Sequence, residues 1–315
     1  MLINLLFDHV KAPLLNPVRA SILAMPEMMR GILWMIFSGF MFVLVGVLIK
    51  LMESGLPAIQ SAFLRYVFGL IIILPLFRRI QWNTITRPIL GLYSLRSIFH
   101  GFAVMLWFFA MATIPLAEVT AIAYSLPIYT TIGAVLVFKE KIRIRRIMAV
   151  VIGFIGTLII LRPGLVEISL GSLAQVAAAI GFAGSFLIAK KLVSVEAPTN
   201  ILFMLTAGCG LALLPAALAV WVTPSLTDTI ILIIIASLAT LGHHSITKAL
   251  IAAPLTATQP FIFVQMIWAI GFGYILFDET PDIWVIVGGF TIIASTTYLA
   301  HREIVAQKKR ELFES

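Results

Sequence analysis

Charge is scarce in this sequence. Only 11% of the 315 residues are Asp, Glu, Lys or Arg, while 61% are hydrophobic. A soluble domain carries about 25% charged residues, so water is excluded as the main solvent. Cysteine is nearly absent: the lone Cys209 rules out a disulfide framework and a cysteine metal site. The four aspartates, Asp8, Asp228, Asp278 and Asp282, all fall between, beyond or at the very start of the apolar runs, which argues against a paired-carboxylate active site. No GxxxxGK[ST] loop occurs, so ATP drive is not encoded. The ~10-residue alternating segments of a membrane β-barrel are also missing.

What is present is a series of ten apolar runs, at roughly 30–51, 57–77, 89–112, 116–138, 144–161, 171–191, 199–221, 227–248, 256–277 and 282–300. A hydrocarbon core about 30 Å thick takes ~20 apolar residues per helical crossing. The reading is an all-α polytopic membrane protein with ten transmembrane helices. Residues 1–29 are expected to be a cytoplasmic extension and 302–315 a charged, helical cytoplasmic tail. Basic residues set the orientation. "VFKEKIRIRR" holds Lys139, Lys141, Arg143, Arg145 and Arg146, and the turn after the second run holds Arg78 and Arg79. Placing these inside puts both termini in the cytoplasm and the cation-poor turns outside. The net charge of +8 is then that of cytoplasmic loops, and no nucleic-acid partner is implied.

A repeat runs through the chain. At an offset of 139, "IPLAEVTAIAYSLPIYTTIGAVLVFKEK" from Ile114 lies over "APLTATQPFIFVQMIWAIGFGYILFDET" from Ala253. Pro115 meets Pro254 and Glu140 meets Glu279. At 140, Lys50 meets Lys190 and Pro75 meets Pro215. The same turn is basic in one copy and acidic in the other. Five helices per copy is an odd number, so the copies, 30–161 and 171–301, should enter the membrane in opposite senses. Inverted repeats of this kind are a recurring build of secondary transporters, with the site near the midplane.

The stretches "LRYVFGLIIILP", "WFFAMATIPLAEVTAIAYSLPIYTTIGAVLVFKEKIRIRRIMAVVIGFIGTLIILRPG" and "KALIAAPLTATQPFIFVQMIWAIGFGYILFDETPDIWVIVGGFTIIASTTYLAHRE" resemble the drug/metabolite transporter superfamily, EamA type. The likeness covers roughly residues 30–303. It implies two inverted five-helix repeats around a central cavity for a small organic solute, in a bacterial inner membrane. The chain is similar to the branch that includes riboflavin and S-adenosylmethionine carriers.

Polar side chains inside a membrane are costly and are therefore candidates. Arg96, His100, Ala103 and Trp107 share one narrow face of the third helix. They read as a cavity wall, with Arg96 meeting an anionic group and Trp107 stacking on a ring. Alternatively, Arg96 snorkels near the cytoplasmic end. Thr120, Tyr124, Pro127 and Thr131 share a face of the fourth helix, and the repeat sets Gln259, Phe263 and Met266 opposite the first three. Glu118 could take a proton or pair with Arg65. It could also serve the positive end of its own helix. Arg65 reads as a structural ion-pair or carbonyl anchor. His243 and His244 are adjacent and point about 100° apart, which disfavours a shared metal. One of them, taken as His243, should face the cavity. The substrate-binding set is thus Arg96, His100, Trp107, Thr120, Tyr124, Gln259, Phe263 and His243, with Glu118 for coupling. No metal or cofactor is expected, and the solute is flat or aromatic with an anionic group. The chain should act as a monomer or weak homodimer in the lipid bilayer. A carrier is favoured over a membrane-embedded enzyme acting on lipid-linked groups, and over a channel, for which no filter-like stretch occurs.

Neutralising Lys139, Lys141, Arg143, Arg145 and Arg146 together should reduce insertion or scramble topology before it alters solute affinity. Protease accessibility in intact cells checks this; normal insertion with a transport defect alone would contradict the anchoring role.

Overall fold

The computed structural model describes residues 25–52, 55–138, 144–165, 167–253, 261 and 263–314. The N-terminal extension, Glu53, most of "KEKIRIRR" and Gln259 lie outside these. The described elements are helices: α1 (Glu27–Leu51), α2 (Ala58–Ile73), α3 (Arg87–Thr113), α4 (Leu116–Ala123), α5 (Leu126–Phe138), α6 (Ile144–Leu161), α7 (Leu170–Val193), α8 (Pro198–Ala219), α9 (Leu226–Ala252), α10 (Val264–Phe277) and α11 (Ile283–Glu314), with two short 3₁₀ segments between α2 and α3. Six segments are long and apolar enough to cross a membrane: α1, α3, the α4–α5 unit, α7, α8 and α9. Shorter apolar helices are Ala58–Ile73, Ile147–Leu161, Val264–Phe277 and Ile283–Tyr298. The protein is an all-helical, multi-pass membrane protein.

Two boundaries differ from the sequence reading. The run expected as one helix over 116–138 is broken at Tyr124–Ser125. Pro127 has no N–H to bond the carbonyl of Ala123, and the chain tightens before it. The Tyr124 N–H donates to Ala121 O at 3.2 Å, the Ser125 N–H to Ile122 O at 3.0 Å, and the Ser125 hydroxyl to Ile122 O at 2.6 Å. At the other end of the chain, α11 continues through residues 302–314, so the tail is no separate element.

Burial sorts the faces of each helix. Along α3, Leu95, Ile98 and Phe102 are exposed, while Tyr93, Ser97, Val104 and Phe108 are buried. In lipid the exposed apolar face is the stable one. The main packing partners are α3 with α7, α1 with α9, α6 with α11, and α2 with α8; α3 also meets α8, and α2 meets α9. Small residues permit the closest crossings. A Cβ on Gly156 would lie 2.9 Å from Gly288 O and 2.7 Å from Ile292, and one on Gly288 would lie 2.6 Å from Gly156 O. Ser295 donates to Ala149 O near the far end of the same crossing. The pairings 149 with 295 and 156 with 292 make α6 and α11 antiparallel.

Two buried amides clamp α2 to α8. Gln60, in the first turn of α2, donates to Val222 O at 2.5 Å and accepts from the Val222 N–H at 2.8 Å, just past the end of α8. Asn200, in the first turn of α8, accepts from the Gln81 N–H at 3.0 Å and donates to Gln81 O at 3.1 Å, past the end of α2. Both side chains are fully buried. Gln60 satisfies an N–H and a C=O that otherwise have no helical partner, and Asn200 satisfies the Gln81 N–H while sharing Gln81 O with Thr84. Asn200 also donates to Glu196 at 2.8 Å, and Glu196 accepts from the Tyr93 hydroxyl at 3.0 Å.

Gln60→Leu strands two backbone groups and Asn200→Leu strands one, the Gln81 N–H, at about 1–3 kcal/mol per group. Each should lower the melting temperature of the purified protein. The two losses should add, because the clamps lie at opposite ends of α2 and share no atoms. Unchanged melting in both variants would contradict the clamp.

Candidate substrate-binding site

The α3 stripe lies against neighbouring helices. His100 shares a 3.1 Å hydrogen bond between Nδ1 and the Ser185 hydroxyl of α7, and its ring meets Phe182 edge-on at 5.1 Å. Ala103, counted on the same face, is fully buried against Gly181, whose missing Cβ would lie 3.0 Å from its own. Ala103 therefore packs an interface and lines no cavity. Trp107 is half-buried against the main apolar cluster, 5.7 Å from Phe108. On the other side, His243 meets Phe42 edge-on, also at 5.1 Å, while the Ser38 hydroxyl donates to Gly242 O at 3.0 Å. Two His–Phe pairs thus occur, one across α3–α7 and one across α1–α9.

Arg65 and Arg96 are the charged groups of this region. Arg65 is near the middle of α2 and 7% exposed, and its guanidinium lies 4.6 Å from the centre of the Tyr66 ring. Among the described residues neither arginine pairs with a carboxylate. The expected ion-pair role of Arg65 is therefore not seen. Arg65 Nη1, Arg96 Nε and Nη1 and the Ser97 hydroxyl are buried with no hydrogen-bond partner. Both guanidiniums lie within electrostatic reach of His100 and His243. Cys209 of α8 closes this region, with its thiol 3.5 Å from Ser97 O.

The helix 4 candidates divide. Tyr124 and Phe263 come together, ring centres 4.9 Å apart at 89°, with the tyrosine hydroxyl 3.5 Å from Phe263 O. The Thr120 hydroxyl turns back onto Leu116 O of its own helix at 2.8 Å. Glu118 accepts from the Ser172 hydroxyl at 2.6 Å, so its described partner is α7 and not Arg65. Gln259 lies outside the described residues. A small cavity beside Glu118 is lined by Pro115, Ala117, Gly273, Glu279 and Asp282.

Residues passed over in the sequence seal that end of the bundle. Asp278 adopts a left-handed conformation, φ 54°, a turn that Asp tolerates. It swings Glu279 back so that its N–H caps Gly273 O at 3.0 Å. The Glu279 carboxylate then pairs with Lys50 and accepts from the Leu116 N–H at 2.9 Å. Lys50 also donates to Ile114 O at 3.0 Å. Beside it, Arg162 pairs with Asp282 at 2.5 Å. The acidic "FDETPD" and the alignment of Lys50 with Lys190 were the available signals; neither names the partner.

Comparison with known proteins agrees with this architecture. Residues 29–162 match the EamA-like transporter family. An S-adenosylmethionine uptake transporter of Rickettsia bellii is 29% identical over 280 residues, spanning 89% of this chain and 96% of that protein. A riboflavin transporter of Vibrio cholerae is 29% identical over 281 residues, spanning 87% and 94%. A pseudopaline exporter of Pseudomonas aeruginosa is 23% identical, spanning 86% and 95%. A crystal structure 14% identical superposes with a TM-score of 0.57, covering 87% of this chain and 96% of that one, which shows a shared fold. Transporters thus align along most of its length, and residues 29–162 match the EamA-like transporter family.

Proposed function

We propose that the protein is a secondary transporter that moves a small organic metabolite across the bacterial inner membrane by alternating access. The solute binds between two inverted five-helix repeats, 30–161 and 171–301, and both termini are cytoplasmic. The observation that carries this reading is the duplicated clamp. The 140-residue offset sets Asn200 on Gln60, and each grips the backbone just past the second helix of the other repeat. The same offset sets Phe182 on Phe42, and each ring meets a histidine of the other repeat, His100 and His243, with His243 three residues beyond the position equivalent to His100. The packing pairs α1–α9 and α3–α7 exchange in the same way. Tyr124 and Phe263 occupy the same position of their two repeats and touch each other, as residues beside a two-fold axis would.

In this reading His100, His243, Arg96 and Trp107 face the transport path at mid-membrane, with Tyr124 and Phe263 at its axis. Thr120 and Gln259 belong to the same wall. The Lys50–Glu279 and Arg162–Asp282 pairs hold the outer end shut, and opening outward has to break the first. Relatives named for S-adenosylmethionine and riboflavin support a metabolite with a flat ring. Glu118, held by Ser172 in the outer half, is the candidate proton carrier.

Counterflow in proteoliposomes tests the function. A carrier loaded with unlabelled riboflavin or S-adenosylmethionine should draw labelled solute in against its gradient, with no new product formed. Chemical conversion of the solute would favour a membrane-embedded enzyme. If protons drive transport, Glu118→Gln should abolish accumulation and leave exchange intact. Wild-type uptake indifferent to a pH gradient would remove Glu118 from that role.

A further inference from the structure

The buried guanidiniums of Arg65 and Arg96 carry a finer conclusion about the solute, one that rests on the transporter reading. Arg65 lies about 10 Å from either end of α2, and Arg96 about 13 Å from the start of α3, at 1.5 Å rise per residue. At those depths neither head reaches lipid headgroups by snorkelling without unwinding its helix. Burial of a charge without a counter-charge is among the most destabilising arrangements a protein tolerates. Here Arg65 comes close to that case, and the partly buried Arg96 lies in the same region. Arg65 is 7% exposed, and Arg65 Nη1, Arg96 Nε and Arg96 Nη1 have no hydrogen-bond partner among the described residues.

A neighbouring group shares the same deficit. The Ser97 hydroxyl is buried and also without a partner, while the Tyr66 hydroxyl lies against Cys209 and Arg65. The other neighbours, His100 and His243, already lean on Phe182 and Phe42 and add no negative charge. The thiol of Cys209 is directed at Ser97 O. The region where α2, α3 and α8 meet therefore holds two fixed cations and the free hydroxyl of Ser97. A neutral solute could satisfy the N–H donors but would leave both charges uncompensated.

We infer that this cluster binds the oxyanion of the transported solute, a carboxylate or phosphate on a small soluble metabolite, with Arg65 joining Arg96 as a binding residue. The planar forks of two arginines suit a bidentate oxyanion, and the hydroxyl of Ser97 supplies a further donor. The depth of the two arginines along their helices excludes a lipid headgroup as the source of the anion.

The test uses the purified full-length protein and matched probes: indole-3-acetate against indole-3-acetamide, and riboflavin 5′-phosphate against riboflavin. At least one acid should raise the melting temperature more than its neutral partner does, and which acid does so tells carboxylate from phosphate. Arg65→Met and Arg96→Met should each melt at or above the wild-type temperature without probe, because an uncompensated buried charge is removed. Both should lose the acid's shift. Arg65→Lys and Arg96→Lys keep the charge but lose the fork, and should weaken the acid by roughly tenfold. A fall of several degrees in both probe-free Met variants, or their failure to fold, would make these arginines structural and overturn the inference. So would neutral probes binding as well as acids, or no acid binding at all. The transporter reading is judged separately: counterflow without an acid preference would leave the carrier standing and remove the anion site. Acid binding without counterflow of any solute would do the reverse.

Discussion

A polar group inside a bilayer finds its partner within the protein or goes without. The rest of this structure follows from that constraint. Helices satisfy their own backbones, except at their ends. At two such ends, past α2 and past α8, Asn200 and Gln60 each bond a backbone N–H and C=O together. A single amide suits the task because it has a donor and an acceptor side by side. The α2–α8 pair is thereby tied at both of its ends.

Against that background the unsatisfied groups stand out. Arg65, Arg96 and Ser97 lie on or beside the same helix pair and have donors to spare. A protein that satisfies Val222 and Gln81 with fully buried side chains is not short of means to satisfy an arginine. Leaving donors unpaired next to a tied helix pair is how a binding site is kept ready for a ligand, at a loss of intrinsic stability. The ion pairs Lys50–Glu279 and Arg162–Asp282 are a different use of charge. They cluster at one end of the bundle, where helix termini meet, and tie α1, α4, α6, α10 and α11 together.

Much of the fold is legible in the sequence because the bilayer imposes one simple rule. Apolar runs of helix length, cut by charge and proline, correspond to the described helices. Pro127 is in the sequence, yet a proline within an apolar run gives no sign whether the helix bends or breaks. Pro215 is carried inside an unbroken α8, while the chain parts before Pro127. The site is less legible. Spacing puts Arg96, His100, Ala103 and Trp107 on one face, but spacing does not say what that face meets, and Ala103 meets Gly181. Tyr124 and Phe263 were paired by the repeat and are in contact. Gln60 and Asn200 escape notice because a lone amide in an apolar run carries no motif. Only the three-dimensional partner, a loop backbone some 120 to 160 residues away, gives either its meaning.

The central claim is that the two halves enter the membrane in opposite senses. Single cysteines at Lys141 and Thr280 test it most directly, in a Cys209→Ala background that removes the native thiol. With a membrane-impermeant maleimide on intact cells, the cysteine at position 280 should label at once. The one at position 141 should label only after permeabilisation. Labelling of both from the same side would contradict the account.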